Sequence, residues 1–186
     1  MKPLKNFKDY VNKGIIKKQS LDKSRAMSLI EDSERDRDFL INISKKIGIN
    51  DEGANTIIKG SYDILMGLIR AKLLLQGFKA HGQGAHEAEV SYLRELGFKE
   101  TEVQFADQLR WSRNGILYYG RKFDKEYAEK VLAFLNKNYP KLKKTLGENQ
   151  QTWDETFTII EKLFKGRNPG FYLISRKNKK KTQKIF

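Results

Sequence analysis

Leu109-Arg110-Trp111-Ser112-Arg113-Asn114-Gly115-Ile116-Leu117-Tyr118-Tyr119-Gly120 places two arginines, an asparagine and two tyrosines in what reads as the last turns of a helix. At about 100° per residue, Arg110, Arg113, Asn114, Leu117 and Tyr118 fall within one arc. Phe105, Leu109, Ser112, Ile116 and Tyr119 fall on another, which is expected to face a core. The first arc offers guanidinium forks that match phosphate or carboxylate oxygens, with an amide and a phenol beside them. That is the chemistry of a polar binding site. The alternative is an ordinary solvated face, with the arginines in water and Asn114 capping locally.

The stretch also resembles the signature of the HEPN family, helical nucleotide- and RNA-associated domains of archaea, bacteria and higher eukaryotes. That signature is an arginine, usually followed by a polar residue such as asparagine, and then a histidine four to six residues on. Arg113 and Asn114 match its start, and Tyr118 stands where the histidine is expected. The form Arg-Asn-x-x-x-Tyr-x-Gly, completed by Gly120, looks like a branch of the family that lacks the histidine. The resemblance extends upstream through Ser61-Tyr62-Asp63, Gly77-Phe78-Lys79 and Ala85-His86-Glu87, and covers residues 20 to 142.

The resemblance implies an antiparallel helical bundle, a homodimer with the Arg-Asn motif near its two-fold axis, and RNA, nucleotide or a nucleotidyltransferase-type protein as partner. In several relatives it also implies metal-independent RNA cleavage, in which the ribose 2′-hydroxyl attacks its own phosphate and leaves a cyclic phosphate end. Arg113 would then neutralise charge on the phosphate, and Asn114 would hold local geometry or a phosphate oxygen. Histidine does acid–base work near neutrality. Tyr118, with an ordinary pKa of about 10, is a poor base at pH 7.

Three readings follow: a binding or partner module without efficient catalysis, a metal-independent endoribonuclease of a toxin–antitoxin or RNA-processing system, and a purely structural helical interaction protein. In the ribonuclease reading Arg113 works with Tyr118 or with a histidine brought close by folding. No cofactor or metal is expected. Phosphate contacts are expected from Arg110, Arg113 and the tail residues Lys177, Lys179, Lys180 and Lys181.

Composition sets the bounds. The 186 residues suffice for one domain with extensions, and 39% hydrophobic with 32% charged residues describes a globular chain with a strongly charged surface. No cysteine is present, which excludes disulfides and thiolate metal sites and fits a cytoplasmic setting. No apolar run approaches a membrane span, and the lysine-rich start lacks a signal-peptide core. A net charge of +14 attracts polyanions, although basic, archaeal-like compositions also serve thermal stability.

Periodicity predicts an all-α fold of four to five antiparallel helices with a helical C-terminal extension. Residues 1–19 read as a basic arm with a short docking helix, 20–146 as the bundle, and 147–186 as a further helix, a short extended segment and a basic tail. Within the bundle, a helix runs from Ser20 or Asp22 to Gly48, with Ala26, Leu29, Ile30, Leu40, Ile43 and Ile47 at inward spacing. Its acidic-basic run, residues 31–38, reads as a solvated face rather than a metal site. A second helix covers Asn55 to Leu75, with Ile57, Ile58, Tyr62, Leu65, Ile69 and Leu73 inward. A glycine-rich loop leads to a third, ending near Leu96. Thr101 opens the fourth through a capping box with Gln104, and Asp124 caps a fifth that stops before Pro140. Gly147–Gln151 then reads as a polar connector. A second capping box at Thr152–Glu155 opens a helix with Trp153, Phe157, Ile160 and Phe164 on one stripe.

Overall fold

The computed structural model describes residues 3–163, with side chains over residues 3–147. The chain divides into two compact units, residues 1–148 and 149–186. The second is described only by helical backbone through Leu163, so Phe164, the extended run 171–174 and the tail lysines lie outside the described residues.

The first unit is a helical bundle in the order α1 (Phe7–Asn12), β1 (Ile16–Lys18), α2 (Lys23–Ile47), α3 (Asp51–Leu75), β2 (Phe78–Ala80), α4 (Ala85–Ser91), α5 (Glu100–Tyr119) and the part of α6 (Lys125–Leu163) that precedes residue 149. The basic arm docks through Phe7 and Tyr10, both buried. It then adds what periodicity does not predict, a three-residue ribbon in which Ile16 pairs with Ala80 and Lys18 with Phe78, antiparallel. Strands this short carry no alternation to read.

α2 and α3 form an antiparallel pair. Asp22 caps the first by accepting from the Arg25 N–H, and Gly48 ends it at φ +83°. Asn50 caps the second by accepting from the Gly53 N–H, so that the helix begins at Asp51 rather than the expected Asn55. All six residues expected inward on α3 are buried. On α2, Ala26, Ile30 and Leu40 are buried, but Ile47, in the last turn, is largely exposed. The mixed-charge run is mostly solvated, except that Arg37 lies over the Tyr139 ring at 4.4 Å and Glu34 pairs with Lys143.

The two helices pack closely at Gly67, where an added Cβ would run into the Ser33 hydroxyl, itself donating to the Leu29 carbonyl at 2.7 Å. Gly67→Ala is therefore expected to cost about 1 kcal/mol, overpacking outweighing the gain in helix propensity. In a Ser33→Ala background the same change should become neutral or stabilising. A urea double-mutant cycle reads the sign; equal losses in both backgrounds would dissociate the glycine from this contact.

Two further boundaries differ from the sequence reading. α5 starts at Glu100, not Thr101, because the Glu102 carboxylate reaches back to the Lys99 N–H at 3.0 Å and is fixed by Lys137 and Lys141 of α6. α6 runs through Pro140 and through the expected connector. The proline stands on the solvent side, where water can satisfy the carbonyl left without a donor at exposed Asn136. Meanwhile Leu135, Leu142 and Leu146 stay in the core on the opposite side. Burial of that stripe outweighs the missing hydrogen bond.

α5 and α6 are antiparallel neighbours, joined by Ser112–Tyr127 hydroxyls at 2.8 Å and by the Phe105–Phe134 ring pair at 4.5 Å. The loop between them is tied to α3. Asn55 donates to the Arg121 carbonyl at 2.9 Å and accepts from the Phe123 N–H at 3.1 Å. This fixes the end of α5.

Candidate functional site

Gly120, in the left-handed region at φ +61°, closes α5 directly after its two tyrosines, and the Gly120 and Arg121 N–H groups both donate to the Gly115 carbonyl. Gly115 leaves room for the Arg121 stem to lie across the helix, where a Cβ would meet it at 2.9 Å. The helix end therefore projects a set of rings into solvent. Trp111 is 48% exposed, Tyr118 72% and Tyr119 78%, with Leu117 among them. Trp111, Asn114 and Tyr118, spaced i, i+3 and i+7, form one ridge. Tyr119, expected in the core, is thus outside it: α5 overhangs its last turn, and only Leu109, Ser112 and, in part, Phe105 and Ile116 of that arc pack inward.

The expected polar arc is split. Arg110 turns inward and is 7% exposed. Its Nε donates to Asp107 Oδ1 at 2.7 Å, Glu87 stands 3.5 Å away, and its guanidinium lies 5.2 Å from the Trp111 ring centre. Arg113 is largely covered, its side chain 20% exposed. It rests over the Tyr62 ring at 5.7 Å, meets Asp63 at 3.7 Å, and leaves its Nε without a hydrogen-bond partner. Asn114 is half-buried, and Tyr118 stands free of the cluster in solvent.

Beneath Arg113 lies a polar network from α3 and α4. Tyr62, almost wholly buried, meets His86 Nδ1 at 2.8 Å, and Arg70 Nη2 donates to His86 Nε2 at 3.2 Å. Arg70 also forks onto Glu89 at 2.8 and 2.9 Å. A guanidinium cannot accept, so Nε2 must carry the lone pair; Nδ1–H then donates to the Tyr62 oxygen. The imidazole is neutral in this arrangement. Burial of the ring, aided by Arg70, Arg113 and Arg110 and opposed by Glu89, holds its pKa below the usual histidine value. Burial likewise pushes the Tyr62 phenol upward.

A pH dependence follows from that shift. With its folded pKa depressed, His86 binds fewer protons in the native than in the unfolded chain as pH falls below about 6.5. Stability is complete above that pH and is lost as pH falls toward the folded pKa. The urea midpoint should therefore drop between pH 7.5 and pH 5, and His86→Asn should flatten that stretch of the profile. An unchanged profile in the variant would mean that other groups dominate.

Tyr62, Arg70 and Glu89 are the members that spacing does not reveal. Tyr62 sits on the apolar stripe of α3, where it reads as core, and His86 reads as a loop residue beside His81. Folding brings the segment Ser61-Tyr62-Asp63 against Arg113, and places His86 of Ala85-His86-Glu87 on Tyr62 and Glu87 beside Arg110. Among the described residues, no group of three or more histidine, aspartate or glutamate side chains is placed to hold a metal ion, and no helix is long and apolar enough to cross a membrane. Comparison with protein-family models, curated proteins and solved structures gives no match.

Proposed function

We propose that the protein is a HEPN-like module that binds single-stranded RNA on the exposed end of α5, without efficient turnover. The observation that carries this reading is the ridge on which Trp111 and Tyr118 stand in solvent, with half-buried Asn114 between them and Arg113 beside it, on a chain of net charge +14. Unpaired bases stack on exposed rings, and phosphates pair with adjacent cations. Arg113 is the guanidinium best suited to a phosphate, since its side chain keeps some exposure beside the rings and the carboxylate it faces among the described residues, Asp63, is distant at 3.7 Å. Arg110 serves the site indirectly, because its charge is already met by Asp107 and Glu87. A second copy of the chain or a nucleotidyltransferase-type partner would cover the same rings.

The test is incubation of labelled RNA with the purified protein in EDTA, scoring retention and cleavage together. Retention without cleavage is expected. Deleting residues 176–186 should weaken binding to all sequences alike and flatten its salt dependence, whereas Arg113→Ala should weaken single-stranded RNA selectively. Binding unaffected by either change would overturn the reading.

One observation favours a second reading, a metal-independent endoribonuclease: His86 reaches the Tyr62 ring that Arg113 covers. A neutral imidazole with a lowered pKa is a competent base at pH 7. Its Nε2 lone pair is held by Arg70, so proton transfer requires that contact to open. Cleavage in EDTA that is lost in His86→Ala would put this reading first.

A further inference from the structure

His86 has a second exposure, away from Arg113. On that side α2, α3, β2 and α4 surround a cleft of about 320 Å³ to which α5 contributes no wall among the described residues. Its floor is apolar: Leu29 and Phe78 are partly exposed, over Leu73 and Leu74 of the core. Its cations are Arg25 on α2, Arg70 on α3 and Lys79 on β2, facing a single carboxylate, Glu89.

That carboxylate is spent. Glu89 is buried and takes both Nε and Nη2 of Arg70 in a bidentate fork. The fork fixes the guanidinium and leaves its Nη1 edge available. Arg25 and Lys79 form no side-chain ion pair among the described residues, so the cleft holds two uncompensated charges beside a rigid third. A folded chain gains nothing from gathering unpaired cations around an apolar floor, since like charges repel and the exposed parts of Leu29 and Phe78 remain wet. Both costs are relieved by a ligand with a negative head and a compact apolar body. The volume is at the lower end of small-molecule sites, which limits that body to the size of one ring or a short alkyl chain.

We propose that this cleft is a binding site for a small amphipathic organic anion, a phosphate monoester or a carboxylate, whose head group lies between Arg25, Lys79 and the free edge of Arg70 and whose apolar body covers Leu29 and Phe78. The site is distinct from the aromatic ridge and does not depend on RNA binding there. Bound ligand touches the same Arg70 that holds His86, so occupancy is read at the imidazole.

Isothermal titration of the full chain with phenyl phosphate, 3-phenylpropionate and inorganic phosphate tests this. One of the two organic anions should bind with a dissociation constant at or below the millimolar range, and inorganic phosphate about tenfold more weakly or not at all. The tighter of the two organic probes identifies the head group. Arg25→Glu and Lys79→Glu lie at the rim and should each weaken binding by about fivefold or more, while Lys130→Glu, an exposed charge on α6, should leave it unchanged. The His86 ring proton resonances should shift with the same dissociation constant. The proposal is overturned if neither organic anion binds at about 10 mM, if inorganic phosphate binds as tightly as they do, or if Lys130→Glu matches the rim variants.

Discussion

Asp107→Ala is expected to destabilise the fold by about 3 kcal/mol, a fall of about 10 °C in Tm. Asp107 and Arg110 lie one turn apart on α5, joined at 2.7 Å, with side chains 5% and 9% exposed. Removing the carboxylate strands a guanidinium that cannot lose its proton and has little water to turn to. Glu87 at 3.5 Å is the remaining partner; it is 42% exposed and so screened, which keeps the loss below the upper end for a broken buried pair. Asp107→Asn keeps an acceptor for Arg110 and should cost less. The double variant Asp107→Leu/Arg110→Met replaces both charges by apolar groups and should recover most of the stability, giving a large coupling energy in the cycle. Thermal unfolding followed by circular dichroism decides it. A single-variant shift under about 2 °C would mean that Arg110 finds water or Glu87 easily.

The sequence made the helices legible where burial and capping speak together. α3 is the clearest case: six apolar positions at helical spacing are the six that become buried. Pro140 shows the limit of local reading. A proline ends most helices, yet here it faces solvent, and the leucines that follow it earn a place in the core that only the tertiary fold reveals. Arg110 shows a second limit. Its helical azimuth put it with Arg113 on a polar arc, but azimuth does not tell where the carboxylates that meet it will stand; Asp107, one turn back on α5, and Glu87 of α4 do so, and the arginine turns inward. His86 shows a third. A histidine 27 residues from Arg113 has no spacing relation to it, and only the packing of α4 against α3 and α5 brings the two onto one tyrosine. Trp111 was in plain sight within the motif, on neither arc, and its role depends on the overhang of α5.

Substituting the rings of that overhang should have the largest effect on RNA. Trp111→Ala and Tyr118→Ala are each expected to weaken single-stranded RNA by about tenfold, and the pair by about a hundredfold, since a stacked base contributes about 1–3 kcal/mol. Neither ring is in the core, so the urea midpoint should hardly move. Neither is charged, so the dependence of affinity on salt should keep its slope while the whole line drops. Tyr118→Phe keeps the π-face and should bind nearly as the parent does, which separates stacking from any need for the phenol oxygen. Duplex RNA, whose bases are already stacked on one another, should bind the parent and the double variant alike. Fluorescence anisotropy with a labelled single strand and its duplex, at two salt concentrations, measures all of these. Single-strand affinity that survives loss of both rings would leave the positive charge as the whole of the interaction, and the end of α5 would then be a surface for protein rather than for RNA.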